Sequence, residues 1–353
     1  MELLFNLYKI HSMSGQENPM RKFIKSYVRN NIPGASVEQK DKNIYIVKGE
    51  SETYPCVVAH LDQVQTKHSK DFKVFESDGI LFGYSAQNKR QEGLGADDKN
   101  GIWVALKCLE RFDNIKVAFF HSEEIGTVGS DNADMDFFKD VRFVLEADRR
   151  NGGDLITNIG GMIASNEFIN DIMPYAEARG YKETTGLLTD VETLSDNGLG
   201  VSAINMSCGY YNPHTDEECT DVSELENCLA FAMDIIENCT NVYTFERQAP
   251  SYSSWGKLWD WGKTKSSNNV VVVHDDYEDE DVSLVDFKDY ANPWDALYDF
   301  CYQNMHLSEY DLWYYVSADC DTYGITYSDF VAIYDDAMMD LCEDEDERWN
   351  KVF

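Results

Sequence analysis

The sequence predicts an α/β protein: a mixed β-sheet with helices on both faces, followed by a small, acidic, all-helical unit. Three observations carry this. Short apolar strands alternate with amphipathic helices over residues 1 to about 247. A Ser-, Gly-, Lys- and Asn-rich stretch, 248–270, then interrupts the pattern as a linker. Beyond it the composition changes: His274–Phe353 holds 23 Asp and Glu against 3 Lys and Arg. The expected domains are therefore 1–247, the linker 248–270, and 271–353.

The elements follow in order. Leu3, Leu4, Leu7 and Ile10 recur at helical spacing, so the N-terminus reads as an amphipathic helix rather than an export signal. Asn43–Val47 and Pro55–Ala59 are short β-rich runs. Ile102, Ala105, Leu106 and Leu109 give Lys99–Arg111 a helical period. Ile115–Phe120 and Val141–Ala147 are buried strands. Ile169–Arg179 is a helix stopped by Gly180, Gly200–Met206 a strand, and Val222–Glu237 a long helix that Thr220 or Asp221 can cap. In the acidic unit, helices are expected near Pro293–Met305, Ser308–Ala318 and Thr326–Cys342.

Composition excludes several classes. A hydrophobic content of 43% is that of a globular chain rather than a disordered one. The formal charge of −34 repels nucleic acid and anionic membranes, so neither is an expected partner. A basic protein is one reading of the acidic tail, and solubility alone is another. No apolar stretch reaches the roughly 18 residues of a membrane span, and the expected location is the cytoplasm. The nine cysteines are scattered, without a CxxC pair, and read as free thiols.

Five segments place His, Asp or Glu at a strand end or a Gly-rich turn. An α/β sheet presents its functional groups there. In Cys56–Asp62 (CVVAHLD), His60 ends a strand and Asp62 lies two residues on, so Asp62 can orient the imidazole. Taken alone, a strand-end His with an exposed Asp is the commoner meaning of HxD. In Gly93–Gly101 (GLGADDKNG), two carboxylates sit between glycines before a helix. Helix capping explains one acid, chiefly Asp98, but not both. In His121–Gly126 (HSEEIG), Glu123 and Glu124 follow the apolar run IKVAFF, where paired acids are costly unless a cation or proton compensates them. Asp148 ends the strand LEAD before Arg149 and Arg150, with an Asp–Arg ion pair as the plain alternative. His214 lies in a Pro-containing loop, YYNPHTDE. Together these supply nitrogen and oxygen ligands without Cys, which suits a catalytic Zn, Mn or Co site.

These motifs resemble those of the co-catalytic dizinc exopeptidases, the group that includes peptidase T, the carboxypeptidase-like amidohydrolases and the zinc aminopeptidases. The resemblance runs from about residue 1 to 240. It includes LYKIHSMSGQE at the start, and its most specific piece is GADDKNG, with HLDQV, SEEIG and NPHTDEE in the expected order. It implies a three-layer zinc-peptidase-like fold and two divalent metal ions, with Zn expected and Co or Mn as alternatives. His60, Asp97 and Asp148 would hold one ion, and Asp97, Glu124 and His214 the other. Asp62 would orient His60, Glu123 would be the general base, and the Asp97–Asp98 peptide would be cis. The implied activity is hydrolysis of peptide bonds in small peptides, as an aminopeptidase. Deacylation of N-acyl amino acids on the same core is the alternative, and an inactive metal-binding interaction protein is the non-enzyme one.

The sequence departs from the pattern in one place. Asp148 and His214 are only 66 positions apart, too few for the lid or dimerisation domain that many relatives insert there. The compact form is expected. In that gap Asp190 reads as the cap of the next helix or as a contact for a substrate amine.

Overall fold

The computed structural model describes residues 1–66, 68–247, 287–289 and 292–304, and single positions up to Tyr334. The expected linker 248–270 lies outside the described residues, as do most of 308–318 and 326–342. The chain divides into two compact units, Met1–Thr264 and Lys265–Phe353.

The helices of the first unit are α1 (Glu2–Tyr8), α2 (Asn18–Asn31), α3 (Ala96–Arg111), α4 (Val128–Asp131), α5 (Asn166–Ala178), α6 (Asp190–Asp196) and α7 (Val222–Asn238). Its strands are β1 (Ala35–Lys40), β2 (Asn43–Lys48), β3 (Tyr54–His60), β4 (Lys73–Ser77), β5 (Ile80–Ser85), β6 (Arg90–Gln91), β7 (Ile115–Phe120), β8 (Val141–Arg149), β9 (Asp154–Asn158), β10 (Lys182–Thr185), β11 (Ala203–Ser207), β12 (Tyr210–Tyr211) and β13 (Cys219–Asp221).

Eight strands form one mixed sheet in the order β1-β2-β7-β3-β8-β11-β9-β10. Its centre, β7-β3-β8-β11, is parallel. Parallel strands need cover on both faces, and β3 and β7 are buried at every position. Alternation along β3 divides the cover. Val57 and Ala59 join a core with α1, α2, α3, α5 and α7, whereas Cys56 and Val58 join a second core with Val191 and Leu194 of α6. The result is three layers, as the sequence predicts.

Local rules account for the helix ends. Asp221 caps α7 by accepting the N–H groups of Ser223 and Glu224. Ser165 caps α5 through Phe168 N–H. The α5 helix stops at Ala178, and Gly180 takes the left-handed conformation (φ +81°) that favours glycine. A second sheet, β12-β13-β5-β4 with β6 on β5, was not expected. It ties the loop bearing His214 to the segment before α3, because β13 pairs with β5.

In the second unit, α8 (Pro293–Gln303) begins at Asn292, whose side chain accepts Trp294 N–H at 3.1 Å. Phe287, Leu297, Phe300, Leu312, Val316, Cys320 and Phe330 form an apolar cluster of its own. Among the described residues, no helix is long and apolar enough to cross a membrane.

Candidate metal centre

The strands β3, β7 and β8 are parallel and end on one edge of the sheet. That edge receives His60 from β3, Glu123 and Glu124 from the loop after β7, and Asp148 from β8. The α3 start adds Asp97, and the loop between β12 and β13 adds His214.

The two Asp97 carboxylate oxygens face different imidazoles. Oδ1 lies 3.0 Å from His60 Nε2, and Oδ2 lies 3.4 Å from His214 Nε2. Around His60 Nε2, Asp148 Oδ1 is at 3.8 Å and Glu123 Oε2 at 3.9 Å. On the other side, Glu124 Oε2 is 3.1 Å from His214 Nε2. The structure therefore gathers His60, Asp97, Glu123, Glu124, Asp148 and His214 around one carboxylate.

Asp62 sits behind them. Its Oδ1 is 3.5 Å from His60 Nδ1 and accepts Glu123 N–H at 2.9 Å. Its Oδ2 accepts the Ser14 hydroxyl at 2.7 Å and Glu124 N–H at 3.3 Å. One carboxylate thus holds the backbone of the paired glutamates and lies beside the imidazole.

Asp98 has a different job. Among the described residues, His60, Asp98 and Asp148 bring ligand atoms within 4.8 Å of one another, as do His60, Asp97 and Glu124. Both Asp98 oxygens are already engaged, however: Oδ1 accepts Gly101 N–H at 2.9 Å and Oδ2 accepts His60 N–H at 3.1 Å. Asp98 caps the regular part of α3 and anchors β3, and Asp97 is left facing the two imidazoles. The Asp97–Asp98 peptide is cis, and both residues depart from helical backbone angles.

The electrostatics fit a cationic guest. Burial, and then the charge of Asp97, push Asp148 up to about 8 against the pull of His60. Burial, then Asp148, Glu124 and Asp190, push Glu123 well above the usual carboxylate range. Glu124 is raised by burial and Asp97. Burial also opposes ionisation of Asp97, but His214 and His60 pull it well below the ordinary value. Burial disfavours charge on His60, yet Asp148, Asp62 and Asp97 outweigh it and raise that group. The buried Glu124 Oε1 has no hydrogen-bond partner. So many buried acids around two imidazoles are costly without compensating positive charge. An all-nitrogen-and-oxygen donor set is of the kind that holds a divalent ion.

Several supporting residues lie within the sequence motifs but gain a role only in the fold. Glu218 accepts Gly95 N–H at 2.5 Å and Asp97 N–H at 3.2 Å, holding the turn that carries Asp97. Lys99 is buried and donates to Gln63 Oε1 at 2.6 Å and to the Leu94 carbonyl at 2.7 Å. Gly95 is left-handed (φ +64°), and a Cβ there would lie 2.8 Å from Lys99 Nζ and Gln63 Cδ. The Tyr210 hydroxyl donates to Asp148 Oδ1 at 3.3 Å. Glu146, two residues before Asp148 on β8, accepts the Thr189 hydroxyl at 2.5 Å.

The structure narrows two of the alternatives. Thr189, not Asp190, occupies the N-cap of α6. Asp190 is the first helical residue and is fully buried, and neither carboxylate oxygen has a hydrogen-bond partner. The Ser130 hydroxyl beside it donates instead to the Thr127 carbonyl at 3.1 Å. Arg149 pairs with Asp154 at 3.1 Å, not with Asp148.

No protein-family model and no curated protein matches this sequence. Solved structures do match. An aminopeptidase PepT from Bacillus cereus superposes with a TM-score of 0.54 at 13% identity, covering 67% of this chain and 97% of that one. A tripeptidase from Staphylococcus aureus gives 0.53 at 12%, covering 67% and 96%. A TET aminopeptidase from a marine-sediment Thaumarchaeota archaeon gives 0.53 at 14%, covering 69% and 97%. At these identities the likeness establishes the fold: the α/β unit is built as these aminopeptidases are.

Proposed function

We propose that this protein hydrolyses peptide bonds in small peptides, as a metal-dependent aminopeptidase. The observation that carries the reading is Asp97, whose two oxygens address His60 and His214 while Glu123 stands 3.9 Å from His60 Nε2. His60, Asp97 and Asp148 would hold one divalent ion, and Asp97, Glu124 and His214 the other. Zinc is the expected metal, with Co or Mn as alternatives. When bound, such a pair lowers the pKa of water and polarises a carbonyl.

The rest of the chemistry belongs to the chain. Glu123 accepts the proton of the attacking water and passes it to the leaving amine. Asp62 fixes Glu123 through its backbone N–H and keeps the His60 ring oriented. Glu218 and Lys99 hold the turn that places Asp97.

The test pairs chelation with a variant. Chelator should abolish dipeptide hydrolysis, and added Zn or Co should restore it. Glu123→Gln should keep the metal and lose activity by about 10²–10⁴-fold, the usual worth of a general base. Normal turnover in that variant contradicts the assignment.

A further inference from the structure

The strand β11 reads Ala-Ile-Asn-Met-Ser, and every position in it is buried. Asn205 therefore brings a buried amide between Ile204 and Met206, and a buried amide needs partners for both its ends. It finds them on the main chain of Asp148. Asn205 Oδ1 accepts Asp148 N–H at 2.9 Å, and Nδ2 donates to the Asp148 carbonyl at 2.9 Å. The other side of Nδ2 faces the Thr189 hydroxyl oxygen at 3.4 Å, and that hydroxyl donates in turn to Glu146. Turning the amide over would set an NH2 group against an N–H and an oxygen against a carbonyl. The Asp148 backbone therefore fixes which way the amide points.

The strand register explains why a side chain is needed there. β11 runs parallel to β8, with Ala203, Ile204 and Asn205 opposite Val144, Leu145 and Glu146. The register then shifts, and Ser207 lies opposite Arg149. β8 advances three residues while β11 advances two, so β8 holds one extra residue within Ala147–Asp148. A bulge of this kind interrupts the ladder and re-aims the side chain it carries. On its other flank, β8 pairs with β3 only as far as Val58 opposite Glu146. The Asn205 amide, with one acceptor and one donor turned to Asp148, takes the place of a ladder rung at the interruption. It does so at the residue whose Oδ1 lies 3.8 Å from His60 Nε2.

We propose that Asn205 is a positioning residue for the metal centre: its amide clamps the backbone of Asp148 and so holds that carboxylate in reach of the ion on the His60 side. The proposal rests on the two-metal reading of the site. Asn205 acts through Asp148 and not on the reacting atoms. Glu124 and His214, which would serve the other ion, come from the loop after β7 and the loop between β12 and β13. Loss of the clamp should therefore weaken one ion and spare the other.

The experiment titrates the full-length, metal-stripped protein with zinc against a chromophoric chelator. Wild type should take up two ions. Asn205→Leu keeps the branched shape and loses both hydrogen bonds. It should bind one ion as wild type does and the other about 10–100-fold more weakly, the usual cost of losing a group that orients a ligand. Asn205→Ala should behave in the same way, and both variants should keep the wild-type circular dichroism. In an Asp148→Ala background, Asn205→Leu should make no further difference, because a residue that acts only through another is not additive with it. Asn227→Ala is the control for lost stability. Asn227 of α7 likewise donates to a main-chain carbonyl, that of Arg179 at 2.9 Å, and Arg179 is no ligand. That variant should melt at a lower temperature with both zinc affinities unchanged. Wild-type affinity for both ions in Asn205→Leu and Asn205→Ala, equal weakening of both ions, or a further loss in the Asp148→Ala background overturns the clamp and leaves the metal centre standing. A wild type that binds no zinc overturns the metal centre and the clamp with it.

Discussion

Replacing Asp190 with Asn should stabilise the metal-free protein, and the gain should depend on pH. Asp190 is fully buried, and neither oxygen has a hydrogen-bond partner. Burial, assisted by the charge on Asp62 and opposed by His60, moves its pKa from 3.8 to about 6. A folded-state pKa above the unfolded value means that the native state holds the proton more tightly. Native stability is then undiminished below the unfolded pKa and falls as pH rises toward the folded one. A gap of about two pH units corresponds to a loss of about 3 kcal/mol by pH 7. Asparagine has nearly the same shape and cannot ionise. At pH 4 the two proteins should therefore unfold at similar urea concentrations. At pH 7.5 the variant should be more stable by about 3 kcal/mol. The assay is urea denaturation in the presence of chelator, followed by circular dichroism at both pH values. A wild type that is the more stable at pH 7.5, or a difference independent of pH, would refute the reasoning.

Two further substitutions probe the supporting groups. Tyr210→Phe removes the hydroxyl that donates to Asp148; metal affinity should fall by about 10–100-fold in a competition titration, the usual effect of losing a partner that orients a ligand. Gly101→Ala puts a Cβ 2.3 Å from Asp98 Oδ1; it should lower stability by about 1–3 kcal/mol in thermal unfolding, and an unchanged melting temperature would show that the contact yields freely.

The central sheet was legible because burial on both faces leaves a plain mark. IKVAFF is buried at all six positions, and its expected and observed boundaries coincide. The second sheet was hidden because its strands are short and one of them, β4, is almost wholly exposed. Lys73–Ser77 has no buried residue, and Ile80–Ser85 contains Gly83, where a Cβ would meet the Glu92 carbonyl at 2.1 Å. The α3 helix begins three residues earlier than its apolar period suggests, since Ala96–Asp98 is the kinked turn that carries Asp97 into the site.

The site residues lie at strand ends and in one Gly-rich turn, where residue type and position along the chain coincide. Their supports cannot be found that way. Glu218 reaches Gly95 across 123 residues, and Tyr210 reaches Asp148 across 62. A tyrosine in a short strand, or one glutamate in an acidic loop, has no local pattern that announces a contact so distant. Asp190 misled for a related reason. A Thr-Asp pair before a helical run offers two caps, and only the fold shows Thr189 at that position with Asp190 buried behind it.

The shared carboxylate is the claim on which the rest depends, and a metal count tests it most directly. The chain, stripped with chelator, dialysed against zinc and freed of excess, should carry two zinc ions by elemental mass spectrometry. Asp97→Asn should carry fewer than two under the same treatment. A wild-type protein that retains none, or a variant that still retains two, would contradict a dinuclear centre built on Asp97.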